Sequence, residues 1–300
     1  MPLKERLGLA ADPIFLVDGT AFIYRAFYAY PDLKRSDGFP TNALFIVLRL
    51  MLKILREEQP RHLVFFMDGK GPTFRHELFP AYKAQRTATP EPLLEQLPPI
   101  REVLSLLGIT VHVTQGVEAD DAIASLAARF KSQRPVVIVG ADKDLKQCLD
   151  RNVVMWDPGG KTEKLTTVED FTRETGLAPG QWPDFQALTG DSSDNIPGAP
   201  GVGPKTAGKI LAALPTLEAL REGLDALSAS ERKKIEPVLD ALFVYRQLTT
   251  LRTDACQDLD VSALRLSRMD TAGLAAFLKN YEFRSLAREL PAPPPTDQRL

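Results

Sequence analysis

The 300-residue chain is poor in the residues that staple, ligate or anchor a protein. Its two cysteines, Cys148 and Cys256, make no disulfide framework and lack the partner spacing of a zinc or redox pair, so both read as ordinary, mostly buried thiols. The three histidines, His62, His76 and His112, are scattered without a second ligand nearby, which argues against a histidine-based metal centre. Any metal must then be held by oxygen. Long apolar runs are also missing: nothing approaches the roughly 18 uninterrupted residues of a membrane helix, and the run in "MPLKERLGLAADPIFLVDG" is too short for a signal peptide. A cytoplasmic location is the expectation. Net charge is nearly absent, at -2, so a nucleic-acid surface would have to be a local basic patch.

What the chain does have is 44% hydrophobic residues, enough for one large domain or a domain with an appendage. Three apolar runs end alike. "IFLVDG" ends in Asp18, "HLVFFMDG" in Asp68, and "PVVIVGADKD" leads to Asp142 and Asp144. Each is short, rich in branched or aromatic residues and nearly free of polar alternation, as strands buried on both faces of a parallel sheet are. "ITVHV" and "NVVMW" are weaker strand candidates, and the helical patterns "TNALFIVLRLMLKILREE" and "LLEQLPPIREVLSLLG" lie between. The alternation predicts an α/β fold with a mainly parallel sheet flanked by helices, and such sheets place ligands at the carboxyl ends of their strands.

Singly, each Asp before a Gly is a turn residue. Together they are costly, because two carboxylates about 4 Å apart repel by around 4 kcal/mol at a surface-like effective dielectric. "GVEADDAIASLAARF" adds Glu118, Asp120 and Asp121 at the start of a predicted helix, where carboxylates also favour the helix dipole. A cation relieves the repulsion, and hard oxygen donors without cysteine or histidine select magnesium or manganese.

Further on, "LTGDSSDNIPGAPGVGPKTAGKILAAL" brings Asp191 and Asp194 before a glycine-rich turn. It is no P-loop, because Pro204 separates the last glycine from Lys205 and no buried strand leads into Gly198. Such a turn, with Gly201, Val202 and Gly203 followed by Lys205 and Thr206 on a helix, can instead offer amides and a cation to a nucleic-acid phosphate. The local basic patch is "GKGPTFRHELFPAYKAQRTATPEP", with Lys70, Arg75, Lys83 and Arg86 interleaved with Phe74, Phe79 and Tyr82. If "AYKAQR" is helical, Tyr82, Lys83 and Arg86 share one phosphate-facing stripe. Gly and Pro at its ends suit a segment that closes over a site.

In this order, "LVDGTAFIYRAF", "FFMDGKGPTFRHELFPAYKAQR", "GVEADDAIASLA", "GADKDLKQ" and "LTGDSSDNIPGAPGVGPKTA" resemble the 5′ nuclease domain of bacterial DNA polymerase I, within the flap endonuclease superfamily. The resemblance covers about the first 210 residues in linked blocks. It implies a PIN-like parallel-sheet core over 1–180 with a helical arch at about 70–98. A helical DNA-binding part would follow over 181–300, with a helix-hairpin-helix-type turn at about 194–212. By resemblance, Asp18, Asp68, Glu118, Asp120, Asp121, Asp142, Asp144, Asp191 and Asp194 form the acidic cluster that holds two Mg2+ or Mn2+ ions. Arg75 and Lys83 engage the scissile phosphate, and Tyr24 stacks on the terminal base. Tyr82, Arg86 and residues 201–203, 205 and 206 touch DNA, with K+ bound through backbone carbonyls of the turn. The implied activity is 5′-3′ exonuclease and 5′ flap endonuclease action on DNA with a 5′ end, flap, nick or RNA primer, by a monomer in the bacterial cytoplasm, fused to or working beside a polymerase.

Asp68, Glu118, Asp120 and Asp142 are expected at one ion and Asp144, Asp191 and Asp194 at the other, with Asp18 and Asp121 positioning water. Two other classes are weighed. A haloacid-dehalogenase-type phosphatase needs an Asp nucleophile two residues before Asp18, where Leu16 stands. A non-catalytic nucleic-acid-binding module would keep the basic stripe and the turn while losing acids, and here the acids are complete. The remainder, from "TLEALREGLDAL" onward, reads as helices ending in the proline-rich "LPAPPPTDQRL".

Overall fold

The computed structural model describes residues 1–29, 33–159 and 162–288, so the proline-rich tail predicted as a linker lies outside the described residues. Six strands form one sheet: β1 (Ile14–Asp18), β2 (His62–Met67), β3 (Thr110–Val113), β4 (Val136–Val139), β5 (Val153–Asp157) and β6 (Lys164–Thr166). Their order is β3-β2-β1-β4-β5-β6. The first five run parallel and β6 is antiparallel to β5.

The continuous apolar runs are explained by two cores, one on each face. Ile14, Leu16, Val64, Phe66, Val136 and Ile138 point to the face covered by the helix Ala119–Phe130 and by the helices of the last third of the chain. Phe15, Val17, Leu63, Phe65, Val137 and Val139 point to the face covered by the helices Gly19–Ala29, Asn42–Glu58 and Leu97–Leu106. Because each residue of β1, β2 and β4 is inside whichever way it points, polarity does not alternate along these central strands, whereas the edge strands β3 and β6 are largely uncovered; each fully buried side chain contributes about 1.5 to 3 kcal/mol. No helix among the described residues is long and apolar enough to cross a membrane.

The chain leaves β1 for β2 on one side and, after β3, returns to lay β4 on the other, so the strand order reverses at β1. A crevice opens at that point, outside the carboxyl ends of the strands. It is here that Asp18, at the end of β1, Asp68, just after β2, and Asp142, just after β4, emerge together.

Two local expectations are corrected and one strand is added. "AYKAQR" is not a helix but a succession of turns, with Lys83 in the left-handed region at φ 54. Pro80 precedes it, and its amides and carbonyls are used outside the segment: Lys83 N donates to Asp194 O at 3.0 Å, and Asn195 Nδ2 donates to Ala81 O at 2.7 Å. "LLEQLPPIREVLSLLG" forms two helices, Glu91–Leu94 and Leu97–Leu106, because Pro98 and Pro99 supply no amide to continue the first. β6 escaped the sequence reading, since three residues are too few to show a period.

Candidate metal centre

The crevice is a cleft of about 620 Å³ lined by Asp18, Asp68, Glu118, Asp120 and Asp142, with Tyr24, Lys83 and Arg86 across from them. Glu118 is the N-cap of the helix Ala119–Phe130, which sets Asp120 in its first turn. Asp68 ties that helix to β2, its Oδ1 accepting from Ala119 N at 2.8 Å. Asp18 accepts from Ala21 N at 3.2 Å and is otherwise enclosed by protein.

A second group stands beside the first. One carboxylate oxygen each from Asp144, Asp191 and Asp194 lies within 4.8 Å of the others. The loop after the helix Trp182–Thr189 presents Asp191 and Asp194, held by the bridge between Asp191 and Ile196. Gln186 donates to Asp144 Oδ1 at 2.5 Å and Lys143 pairs with Asp191 at 2.7 Å. Neither partner was foreseen from the sequence. The groups are linked through Asp144 N, which donates to Asp142 Oδ1 at 2.9 Å, and through Lys83, whose ammonium pairs with Glu118 and lies 3.9 Å from Asp194.

Electrostatics record the crowding. Burial, then Asp142 and Asp68, push the Asp18 carboxyl up to about 7; burial and Asp142 do the same to Asp144. Asp120 is raised well above the usual carboxylate range by burial and by Glu118 and Asp121. Glu118 goes the other way: burial alone would raise it, but Lys83 and Arg75 outweigh burial and hold it low. Thus the protein's own cations neutralise Glu118, while Asp18, Asp120 and Asp144 are left short of positive charge. Their donors are all carboxylate oxygens, the set that suits magnesium or manganese, so the residues fit a pair of hard divalent ions.

Asp121 and Arg75 belong to a different structure from the one expected. Arg75 is 1% exposed. Its Nη1 donates to Glu118 Oε2 and Asp121 Oδ2 at 2.7 Å, its Nη2 to Asp121 Oδ1 at 2.8 Å, and its Nε to the Leu248 carbonyl at 2.7 Å. Asp121 Oδ1 also accepts from Arg252 N at 2.9 Å. Although Asp121 has an oxygen within 4.8 Å of Glu118 and Asp120, both of its oxygens are spent on Arg75. Arg75 therefore braces the acidic helix against the end of the helix Leu239–Thr249 and cannot reach a phosphate in this arrangement.

Tyr82 is also inside, 2% exposed, donating to Glu118 Oε2 at 3.2 Å and Asp194 Oδ2 at 3.0 Å. Of the expected stripe only Lys83 and Arg86 face the cleft, Arg86 pairing with Asp194 at 2.7 Å. Tyr24 stands at the rim, where its Oη and Thr89 Oγ1 share a 2.6 Å hydrogen bond.

At the glycine-rich turn, Gly201 has φ 70 and Gly203 caps the helix Pro204–Ala213. Gly201, Gly203 and Lys205 are exposed and Thr206 is half-buried, whereas the Val202 side chain packs into the core and leaves only its backbone for a ligand. The Gly201 carbonyl accepts from Lys234 Nζ at 3.0 Å.

Residues 13–176 match the family model described as the 5′-3′ exonuclease N-terminal resolvase-like domain, and residues 177–272 match the 5′-3′ exonuclease C-terminal SAM fold. A 5′-3′ exonuclease of Aquifex aeolicus is 36% identical over 278 residues, 92% of this chain and 94% of that protein. The thermostable DNA polymerase I of Thermus thermophilus is 39% identical over 308 residues, 98% of this chain but 36% of that one. The chain thus spans about a third of the length of the DNA polymerase I relatives it matches. Among solved structures, T5 5′-exonuclease with bound zinc aligns with TM-score 0.67 at 21% identity, over 90% of this chain and 98% of that one. The catalytic core of Rad2 in complex with DNA substrate aligns with TM-score 0.63 at 18% identity, over 90% and 87%. These two likenesses speak for the fold. On the family models and the Aquifex relative, the chain belongs to the 5′-3′ exonuclease family.

Proposed function

We propose that the chain hydrolyses phosphodiester bonds of DNA near a free 5′ end, acting as a 5′-3′ exonuclease and flap endonuclease with two Mg2+ or Mn2+ ions. The observation that carries this reading is the gathering of eight carboxylates, in two linked groups, at the switch point of the sheet. Family membership supports it. Asp68, Glu118, Asp120 and Asp142 would hold one ion and Asp144, Asp191 and Asp194 the other. When bound, such a pair lowers the pKa of an attacking water and neutralises the leaving oxygen.

The chain's own residues do the rest. Lys83 and Arg86, placed against the acids, meet the phosphate as charge builds on it. Asp18, enclosed behind the cleft, orients water, and Tyr24 at the rim offers a ring to the terminal base. Asp121 serves through Arg75 by fixing the helix that carries Glu118 and Asp120. The amides of Gly201 to Gly203 with Lys205 and Thr206 grip duplex phosphates without reading bases, as a helix-hairpin-helix element does. A potassium ion at that turn would share it with the Lys234 ammonium already on the Gly201 carbonyl.

In this reading residues 1–180 are the nuclease core and the following helices the DNA grip, working in the cytoplasm as a monomer beside or fused to a polymerase. The test is a labelled 5′ flap, a nicked duplex and an RNA-primed duplex with magnesium. Cleavage of the strand that bears the free 5′ end is expected. Binding of all three without cleavage would leave a nucleic-acid-binding module.

A further inference from the structure

A second groove, of about 530 Å³, lies between the helices Gly19–Ala29 and Asn42–Glu58 and the loop after β5. Among the described residues its lining carries Arg25, Arg49, Lys53 and Arg56 and no acidic residue. Arg49, Lys53 and Arg56 follow one another at i, i+4 and i+7 and so occupy one helix face. Arg25 is held rigidly, its guanidinium 4.5 Å over the Phe22 ring and doubly bonded to Asp157 at 2.8 Å, and Arg56 pairs with Glu57 at 3.3 Å. Arg49 and Lys53 take part in no ion pair among the described residues; Lys53 Nζ reaches only the Pro158 carbonyl, at 3.5 Å. Glu163, which feels the Lys53 charge, is itself paired with Arg6. Like charges gathered together destabilise a fold, and Arg49 and Lys53, which meet no acid among the described residues, suit a counter-charge.

The groove is joined to the metal centre. A depression of about 230 Å³ shares Phe22 and Arg25 with the groove and Ala21 and Asp142 with the cleft, over a floor of Gly140 and Ala141. Along the helix, seven residues separate Arg49 from Arg56, about 10 Å at 1.5 Å per residue. One DNA strand carries a phosphate about every 3.4 Å of duplex axis, so the row spans about three phosphate steps. Among the described residues its only aromatic ring, Phe22, lies under Arg25 and is not free to stack on a base. The geometry points to a backbone track: Arg49 and Lys53, with Arg25 and Arg56 beside them, bind consecutive phosphates of the DNA molecule whose scissile bond lies in the cleft. This rests on the nuclease reading above and adds a contact outside both the catalytic cleft and the glycine-rich turn.

The test uses Arg49→Gln/Lys53→Gln, which keeps side-chain length and helix propensity, together with the charge-retaining Arg49→Lys/Lys53→Arg. Anisotropy of a labelled flap in calcium would be measured from about 50 to 300 mM salt, with each duplex arm trimmed in turn. Loss of two phosphate contacts should lower the slope of log K against log salt by about 1.8 and weaken binding several-fold. Trimming the arm that reaches the groove should bring wild type down to the variant, while the charge-retaining pair should behave as wild type. Single-turnover cleavage of saturated substrate should not change. An unaltered slope on the full-length substrate would overturn the proposal, as would a loss that persists equally whichever arm is removed. Saturable binding of a mononucleotide that depends on Arg49 and Lys53, with the DNA slope unaltered, would also overturn it by assigning the groove to a small anion. Wild-type cleavage with magnesium, scored separately, tells failure of the track from failure of the nuclease reading.

Discussion

Replacing Lys83 by alanine isolates the cation that the structure sets between the two groups of acids. Its ammonium pairs with Glu118 and stands 3.9 Å from Asp194, with the side chain 15% exposed. The fold should tolerate the change, because Glu118 keeps Arg75 and Tyr82 as partners. Nor does the left-handed backbone at φ 54 change its preference, since lysine and alanine both carry a Cβ. A full unit charge about 4 Å away is worth around 4 kcal/mol at an effective dielectric of 20. Only part of that is new in the transition state; a third of it, about 1.4 kcal/mol, slows the chemical step tenfold. We therefore expect Lys83→Ala to lower the single-turnover rate on a saturated 5′ flap at least about tenfold, with binding in calcium much less affected. Lys279→Ala, on the exposed side of the helix Thr271–Asn280, is the control and should cleave as wild type. Indistinguishable single-turnover rates for the two variants would refute capture of the phosphate by Lys83.

Arg75→Met should act on stability first, because it strands Asp121 inside while Glu118 keeps Lys83 and Tyr82; breaking such a buried pair costs about 3 to 5 kcal/mol, and a urea midpoint shifted by the equivalent of less than about 1 kcal/mol would contradict the bracing role. Asp18 and Asp144, both raised to about 7, bind protons more tightly folded than unfolded, so stability of the metal-free protein should fall as pH rises from about 4 through 7. Glu118 and Asp191, held low by their cationic partners, and His62 and His112, lowered by burial, have the opposite sign and offset part of that decline. Saturating magnesium should flatten the decline, and a flat series of thermal melts in chelator would show that the acids are not frustrated. Lys205→Ala should reduce the salt slope of duplex binding by about 0.9 at every sequence tried, whereas an unchanged slope would make it a bystander on the turn.

Much of the site was legible because strand ends advertise themselves. A buried parallel strand is an unbroken apolar run, so the first acid after it must lie at the carboxyl edge, and Asp18, Asp68 and Asp142 could be placed without knowing which strands were neighbours. Arg75 and Tyr82 were misplaced for an equally physical reason. A charged or phenolic side chain reads as exposed unless its partners are visible, and the partners of Arg75 are 43 and 46 residues away at Glu118 and Asp121. Tyr82 likewise reaches Asp194, 112 residues on. Helical spacing in "AYKAQR" was genuine as a pattern, yet docking onto the loop around Asp194 drew its backbone bonds elsewhere. Val202 shows the same limit on a smaller scale: the glycines on either side mark the turn, but only the fold decides that the valine points inward.

The central claim, that these carboxylates hold two ions on which hydrolysis depends, is tested most directly by counting Mn2+ ions bound per chain in wild type, Asp120→Asn and Asp191→Asn, with flap cleavage measured on the same samples. The account predicts two ions in wild type, one in each variant, and cleavage lost with either. Two ions retained in both variants, or full cleavage in excess chelator, would contradict it.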